Sequence, residues 1–155
     1  MRLVLVRHGE AEPLRLTDSD RALTGRGHEQ AKATGRWLAS IAPSSCVLAC
    51  SSYRRARETA NNVLTVLPQA ALHVIPHVTP EDGVQKASRS IEGVASGDML
   101  VVVTHMPLVA ALVGWLEHGV PREGRPFALA EARVFELEVW GPGMARQIDG
   151  FVPAV

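Results

Sequence analysis

Three short apolar runs constrain the fold of this chain more than any other feature. They are Leu3-Val4-Leu5-Val6, Cys46-Val47-Leu48-Ala49-Cys50 and Met99-Leu100-Val101-Val102-Val103. Each is free of charge, rich in aliphatic side chains and too short for a buried helix, so each reads as a strand covered on both faces. Between them lie stretches with helical spacing. Ala31, Thr34-Gly35, Leu38 and Ile41 repeat along one face of a helix over about Gln30 to Ile41, with Thr24 as its N-cap and Pro43 as its stop. Ser51-Ser52 opens a second helix from about Tyr53 to Leu67, and Pro80-Glu81-Asp82 a third running to about Val94. Pro107 suits the first position of a fourth, which carries Val109, Leu112, Val113 and Leu116 on one face.

Leu72 to Ile75 is a further short strand, and Glu10 to Ala22 is a polar loop. Ala130 to Trp140 and Met144 to Val152 flank Gly141-Pro142-Gly143 and read as a hairpin. Strands alternating with helices predict an α/β fold: a three-layer α/β/α sandwich with a mostly parallel central sheet and a C-terminal edge hairpin. At 155 residues, with no linker or repeat of domain size, residues 1–155 form one expected domain. Such a chain buries roughly 68–70% of its surface and needs no disulfide. Cys46 and Cys50 would share a strand face roughly 13 Å apart, too far for a disulfide, and read as small core hydrophobes in a reducing cytoplasm.

Composition excludes several roles. Lys+Arg and Asp+Glu are equal at 16 each, which argues against a nucleic-acid partner or a membrane-surface module, both of which rest on basic excess. No apolar stretch approaches the roughly 20 residues of a membrane span, and the chain enters a strand at once without a signal segment, so a cytoplasmic location is expected. Lys32 and Lys86 are the only lysines; the arginine bias favours bidentate recognition of oxyanions, although a GC-rich genome gives the same bias.

In parallel sheets, ligands sit beyond the carboxyl ends of the strands. There the first strand offers Arg7-His8-Gly9-Glu10, the second Ser51-Ser52-Tyr53-Arg54-Arg55, and the fourth Thr104-His105-Met106-Pro107. Arginines, histidines and helix N-termini around one point describe an oxyanion site. The chain has no Cys-x5-Arg loop, no Walker loop and no metal-ligand cluster, which leaves a histidine nucleophile for phosphoryl chemistry and no implied cofactor or metal.

These residues resemble the histidine phosphatase superfamily, the phosphoglycerate-mutase-like fold. Arg7-His8-Gly9-Glu10 matches its Arg-His-Gly signature, and Leu23-Thr24-x-x-Gly27-x-x-Gln30-Ala31 is similar to its first-helix motif. Ser51-Ser52-Tyr53-Arg54-Arg55-Ala56-Arg57-Glu58-Thr59 resembles its second motif, with Ser52 where proline is usual, and Thr104-His105 resembles its second histidine motif. The resemblance covers about residues 1–118. The small size and Asp18-x-x-Arg21-x-Leu23-Thr24 look most like the SixA-type phosphohistidine phosphatases.

The resemblance implies that His8 attacks phosphorus through one ring nitrogen while a backbone carbonyl near Gly9 holds the other. Arg7 and Arg55 clamp the non-bridging oxygens, and a protonated His105 adds a third positive contact. Gly9, Arg21 and Met106 complete the expected substrate-binding set; Arg21 reads equally well as a surface loop arginine, and Glu10 as a rim carboxylate or a solvated one. Ser51 and Ser52 read as helix caps, and His28, His73, His77 and His118 as surface residues. Larger relatives carry a general acid after the third strand. Glu81 and Asp82 fall near there, without the matching motif. A missing acid favours phosphohistidine, whose protonated imidazole leaves readily, and the lack of long covering insertions favours a protein-borne substrate.

The expected activity is thus hydrolysis of phosphohistidine on a signalling or phosphotransfer protein, by a chain favoured to be monomeric. The alternatives are a small-molecule phosphomonoesterase acting on sugar or nucleoside phosphates, and a phosphate-binding module with a dead site.

Overall fold

The pleat divides each apolar run between two cores. In the computed structural model, which describes residues 1–155, Leu3 and Leu5 of β1 (Arg2–Arg7) face one side of the sheet and Val4 and Val6 the other. β2 (Cys46–Cys50) and β4 (Met99–Thr104) divide in the same way, with Val47, Ala49, Leu100 and Val102 on the first face and Leu48, Cys50, Val101 and Val103 on the second. Both faces are buried because both carry helices. Leu38 of α1 (Gly25–Ile41) and Ala56, Ala60 and Val63 of α2 (Arg54–Val66) cover the second face. Ile91 of α3 (Val84–Val94) and Leu108, Leu112 and Leu116 of α4 (Leu108–His118) cover the first.

The six-stranded sheet runs β3-β2-β4-β1-β5-β6, with β3 at Ala71–Val74, β5 at Ala132–Glu136 and β6 at Arg146–Phe151. β1, β2, β3 and β4 are parallel; β5 is antiparallel to β1, and β6 is antiparallel to β5 at the edge. This is the expected α/β/α sandwich with its C-terminal hairpin. Cys46 and Cys50 are free and buried. No helix is long and apolar enough to cross a membrane.

Element boundaries moved where local hydrogen bonds outweigh pattern. α1 begins at Gly25 rather than near Gln30, because the Thr24 side chain accepts the Gly27 N–H at 2.9 Å and caps a first turn containing two glycines. α3 begins at Val84 rather than Pro80: Asp82 Oδ2 accepts from the Thr79 N–H and hydroxyl at 2.8 and 2.7 Å, closing a turn before the helix. Pro107 caps α4 instead of opening it. The polar loop carries a 3-10 turn over Asp18–Asp20 and is pinned to the body by an Ala11–Leu23 bridge.

Candidate active site

Strand register brings the site together. β1 pairs Arg7 with Thr104 of β4, so the next residues, His8 and His105, emerge side by side with ring centroids 5.1 Å apart. β2 pairs Cys50 with Val103 on the other side of β4, and the Ser51 N–H continues that ladder onto the Val103 carbonyl at 3.1 Å. α2 starts just beyond and delivers Arg55 from its second residue. Arg54, Arg55 and Arg57 crowd a helix N-terminus, where the helix dipole disfavours cations. Arg55 is nevertheless buried, which points to an anionic partner rather than to helix stability.

The His8 ring has a defined tautomer. Its Nδ1 lies 2.7 Å from the Gly9 carbonyl oxygen, which can only accept a proton. Arg55 Nε, which can only donate, reaches His8 Nε2 at 3.3 Å. The proton therefore sits on Nδ1, and the Nε2 lone pair faces the pocket. Burial pushes the His8 pKa down to about 4 against the opposing Gly9 hydrogen bond, and the charges of Arg55, Arg7 and Arg21 lower it further. His8 is neutral near pH 7.

His105 departs from the expectation of an imidazolium. Burial first, then proximity to His8 and to the Arg55 charge, push its pKa down to about 2, with Arg7 adding to the effect and Asp18 opposing it. The free protein holds a neutral ring here. Its Nε2 meets the Ser51 hydroxyl at 2.8 Å, while Nδ1 is buried without a partner. Arg7 is similar: Nη1 donates to the Phe127 carbonyl at 2.8 Å, and Nε is buried and unpaired. These are the two buried side-chain nitrogens in the molecule with no hydrogen-bond partner, and both belong to the expected site. Buried polar atoms without partners cost free energy unless a ligand satisfies them.

A pocket of about 340 Å³ is lined by Arg7, His8, Glu10, Ala11, Arg21, Arg55, Met106 and Leu129. Arg21 and Met106 are thus in the same pocket lining as His8. Arg21 donates to the Glu12 carbonyl at 2.7 Å and to Asp18 Oδ1 at 3.0 Å. The Gly9 N–H donates to Thr59 Oγ1 at 3.1 Å and its carbonyl holds His8, so neither group is free for substrate. Its missing side chain allows close backbone approach, since a Cβ there would meet the Gly27 carbonyl oxygen at 2.6 Å.

Glu81 and Asp82 are not in this pocket. They line a separate groove with Pro107, Leu108 and Pro121. Glu81 accepts from the Tyr53 hydroxyl at 2.9 Å. Asp82 closes its own turn; burial raises its pKa, but the Thr79 hydrogen bonds outweigh that and hold it below the usual carboxylate range. Neither carboxyl is placed as an acid beside His8. Glu10 does line the pocket, at a rim, with Oε1 accepting from Thr24 and Oε2 near Arg26.

Four contributors were missed as site residues. Asp18 Oδ2 lies 3.1 Å from Arg55 Nη2, and its carbonyl accepts Arg55 Nη1 at 2.7 Å. Burial raises the Asp18 pKa, but hydrogen bonds from Arg21 and Arg55 outweigh it, so Asp18 stays ionised. Thr59 donates to the Arg55 carbonyl while accepting from Gly9, tying α2 to the His8 turn. Tyr53 sets its ring edge-on to His105 and beneath the Arg55 guanidinium, both at 5.1 Å. Ser51, read as a cap, touches His105 directly. The Asp18-x-x-Arg21 spacing and the placement of Ser51 at a strand end were the available signals.

A strand-tip histidine with an open lone pair, flanked by arginines at the carboxyl edge of a parallel sheet, defines a phosphoryl-transfer site of the histidine phosphatase kind. Residues 3–78 match the model of the histidine phosphatase superfamily, branch 1. The chain is 32% identical over 123 residues to the phosphohistidine phosphatase SixA of Escherichia coli K12, covering 75% of this chain and 74% of that one. Among solved structures it resembles the protein histidine phosphatase SixA complexed with tungstate, at 28% identity, TM-score 0.81 and coverage of 98% and 97%. It also resembles the SixA structure from Nakamurella multipartitia, at 25% identity, TM-score 0.82 and coverage of 99% and 96%. The chain belongs to the histidine phosphatase superfamily and is a phosphatase of the hydrolase class. Within that superfamily it is of the SixA type.

Proposed function

We propose that this protein is a phosphohistidine phosphatase acting on a phosphotransfer protein through a covalent intermediate on His8. The carrying observation is the His8 lone pair at Nε2 beside Arg55 and two buried nitrogens without partners, Arg7 Nε and His105 Nδ1. The SixA relatives support the substrate class, and the tungstate in one of them is a tetrahedral oxyanion like phosphate.

In the first step His8 Nε2 forms a bond to phosphorus as the phosphorus–nitrogen bond of a substrate phosphoimidazolium breaks, and the substrate imidazole leaves neutral. Arg7, Arg55 and His105 hold the non-bridging oxygens. In the second step a water oxygen attacks phosphorus, the bond to His8 Nε2 breaks, and the water protons pass to phosphate and solvent. The Gly9 carbonyl keeps a proton on Nδ1 throughout, so phosphorylated His8 is itself a cationic ring with a good leaving nitrogen. Positioning and charge carry such a reaction, and no metal enters it. A phosphoimidazolium releases a neutral imidazole and needs no acid, which suits a pocket whose nearby carboxylates are otherwise engaged: Asp18 by arginines, Glu10 by Thr24 and Arg26.

The test compares a phosphohistidine protein, a phosphotyrosine peptide and sugar phosphates at fixed enzyme concentration, together with trapping of an acid-labile, base-stable phosphoenzyme. Highest kcat/KM on phosphohistidine, with phosphoenzyme absent in His8→Ala, supports the proposal. Preference for a sugar or nucleoside phosphate supports the small-molecule alternative, and binding without turnover the dead module.

A further inference from the structure

We propose that Ser51 is a positioning residue that fixes the tautomer of His105, so that His105 meets the phosphoryl group as a neutral N–H donor rather than as a cation. The inference rests on the phosphatase reading for its purpose, and on geometry for its content.

Ser51 and His105 are both fully buried. The Ser51 backbone is fixed by its ladder hydrogen bond to Val103, one residue before the end of β4, and His105 is the first residue beyond that end. One lone pair of Ser51 Oγ accepts the Tyr53 N–H at 3.1 Å. The hydroxyl proton then needs an acceptor, and the one partner that can accept it is His105 Nε2, 2.8 Å away. If Nε2 accepts, the ring proton sits on Nδ1, the nitrogen left without a partner. The opposite tautomer would strand the serine hydroxyl proton in the interior. It would also leave a bare lone pair on the buried Nδ1, which offers an anion no hydrogen bond.

The surroundings select against charge on this ring. Arg7 and His8 approach from the end of β1 and Arg55 from α2; Asp18, from the polar loop, is the opposing charge, and Tyr53 contributes an uncharged ring edge. Three arginines, Arg7, Arg21 and Arg55, already line the phosphoryl site. A neutral donor adds a directed hydrogen bond without adding repulsion, as neutral imidazoles do in other enzymes where burial or a helix terminus suppresses protonation.

The experiment is nitrogen-15 NMR of the His105 ring in the intact protein, free and saturated with inorganic phosphate, alongside kcat and KM for Ser51→Ala and Ser51→Thr. A neutral ring protonated on Nδ1 between pH 6 and 8, with and without phosphate, is expected. In Ser51→Ala the Nδ1–H population should fall and kcat drop about tenfold with KM changed less than twofold; Ser51→Thr, which keeps the hydroxyl, should restore both. An imidazolium in the phosphate-bound protein, or an Nε2–H ring in the free one, overturns the proposal, as does a Ser51→Ala enzyme with unchanged tautomer and kcat. The wild-type spectrum decides whether or not the variants fold. Absence of turnover on every phosphorylated substrate would defeat the phosphatase reading and leave the spectrum to judge the tautomer.

Discussion

Arg55 Nε donates to His8 Nε2 across 3.3 Å, so the guanidinium that should bind the phosphoryl oxygens also holds the nucleophilic lone pair in the free protein. The contact orients the ring and, through the charge of Arg55, helps keep it unprotonated. In the proposed reaction an incoming phosphoryl group takes over this donor while the lone pair turns to phosphorus.

Arg55→Ala should therefore damage nucleophile and oxyanion stabilisation together. Loss of one preorganised donor typically lowers kcat by about 10²–10³. Arg55→Lys should recover less than a tenth of the wild-type rate, because a lysine cannot reach His8 Nε2, Asp18 Oδ2 and the Asp18 carbonyl with one planar fork. Steady-state kinetics on a phosphohistidine protein measures both. A lysine variant with near wild-type kcat would show that charge alone suffices.

Acid should destabilise the fold through the two histidines. The unfolded chain takes up a proton on each near 6.5, whereas folded His8 resists to about 4 and folded His105 to about 2. Both folded values are depressed, so the stabilisation is fully present above pH 6.5 and is lost as pH falls through each folded value. At about 1.4 kcal/mol per pKa unit, His8 alone weakens the fold by on the order of 3 kcal/mol between pH 6.5 and 4. The urea midpoint should fall over that window, and His8→Gln should flatten the slope. The acid limb of kcat/KM should likewise lie near 4 rather than 6.5. A wild-type midpoint unchanged from pH 7 to 5 refutes the account.

Asp18 should compete with substrate for Arg55. Its carboxylate bridges Arg21 and Arg55 at 3.0 and 3.1 Å, at the mouth of the site. Removing that charge in Asp18→Asn should tighten competitive inhibition by inorganic phosphate. Asp18 is 39% exposed, so screening limits the gain to about 1 kcal/mol, or roughly fivefold in Ki. The gain should shrink as ionic strength rises. Weaker phosphate binding in the variant would instead make Asp18 a preorganiser of Arg55.

The fold was legible because its signals are local. An unbroken aliphatic run such as Leu3 to Val6 needs cover on both sides, and the spacings of Leu38 with Ile41 and of Leu112 with Leu116 supply one side each. His8 and His105 were legible for the same reason, since parallel strands deliver their tips to one edge. What stayed hidden depends on backbone and on long-range contact. Arg7 is held by the Phe127 carbonyl, and the loop carrying Phe127 is stapled by Arg133, which donates to the Arg125 and Pro126 carbonyls and to Glu131. A carbonyl has no sequence signature. Asp82 was misread for a related reason: proximity to the third strand says nothing about a turn that claims its oxygen.

Backbone approach under His8 gives a further test. A Cβ on Gly27 would overlap the Glu10 carbonyl oxygen, and one on Gly9 would press on Gly27. Gly27→Ala must therefore push α1 away from the turn whose Gly9 carbonyl holds His8 Nδ1. Overpacking of this kind costs about 1–3 kcal/mol. Thermal denaturation should show the loss, with kcat falling more than tenfold in the fraction that remains folded. Gly25→Ala, with nothing within 4 Å of its Cβ, is the control and should leave kcat unchanged.

Chemistry without a general acid makes the last prediction. Glu81 sits against Tyr53 and Thr79, and Asp82 against Thr79, in a groove apart from the His8 pocket. Glu81→Gln should leave kcat on a phosphohistidine protein within twofold across pH 6–8. Asp82→Asn should do the same while losing about 1 kcal/mol of stability as the charged acceptor of its turn is neutralised. An alkoxide leaving group cannot depart without a proton, so sugar phosphates should turn over slowly in wild type and both variants alike. Rapid sugar-phosphate hydrolysis that disappears in Glu81→Gln would establish a proton donor reaching the pocket. It would move the substrate class from a phosphoramidate to an ester.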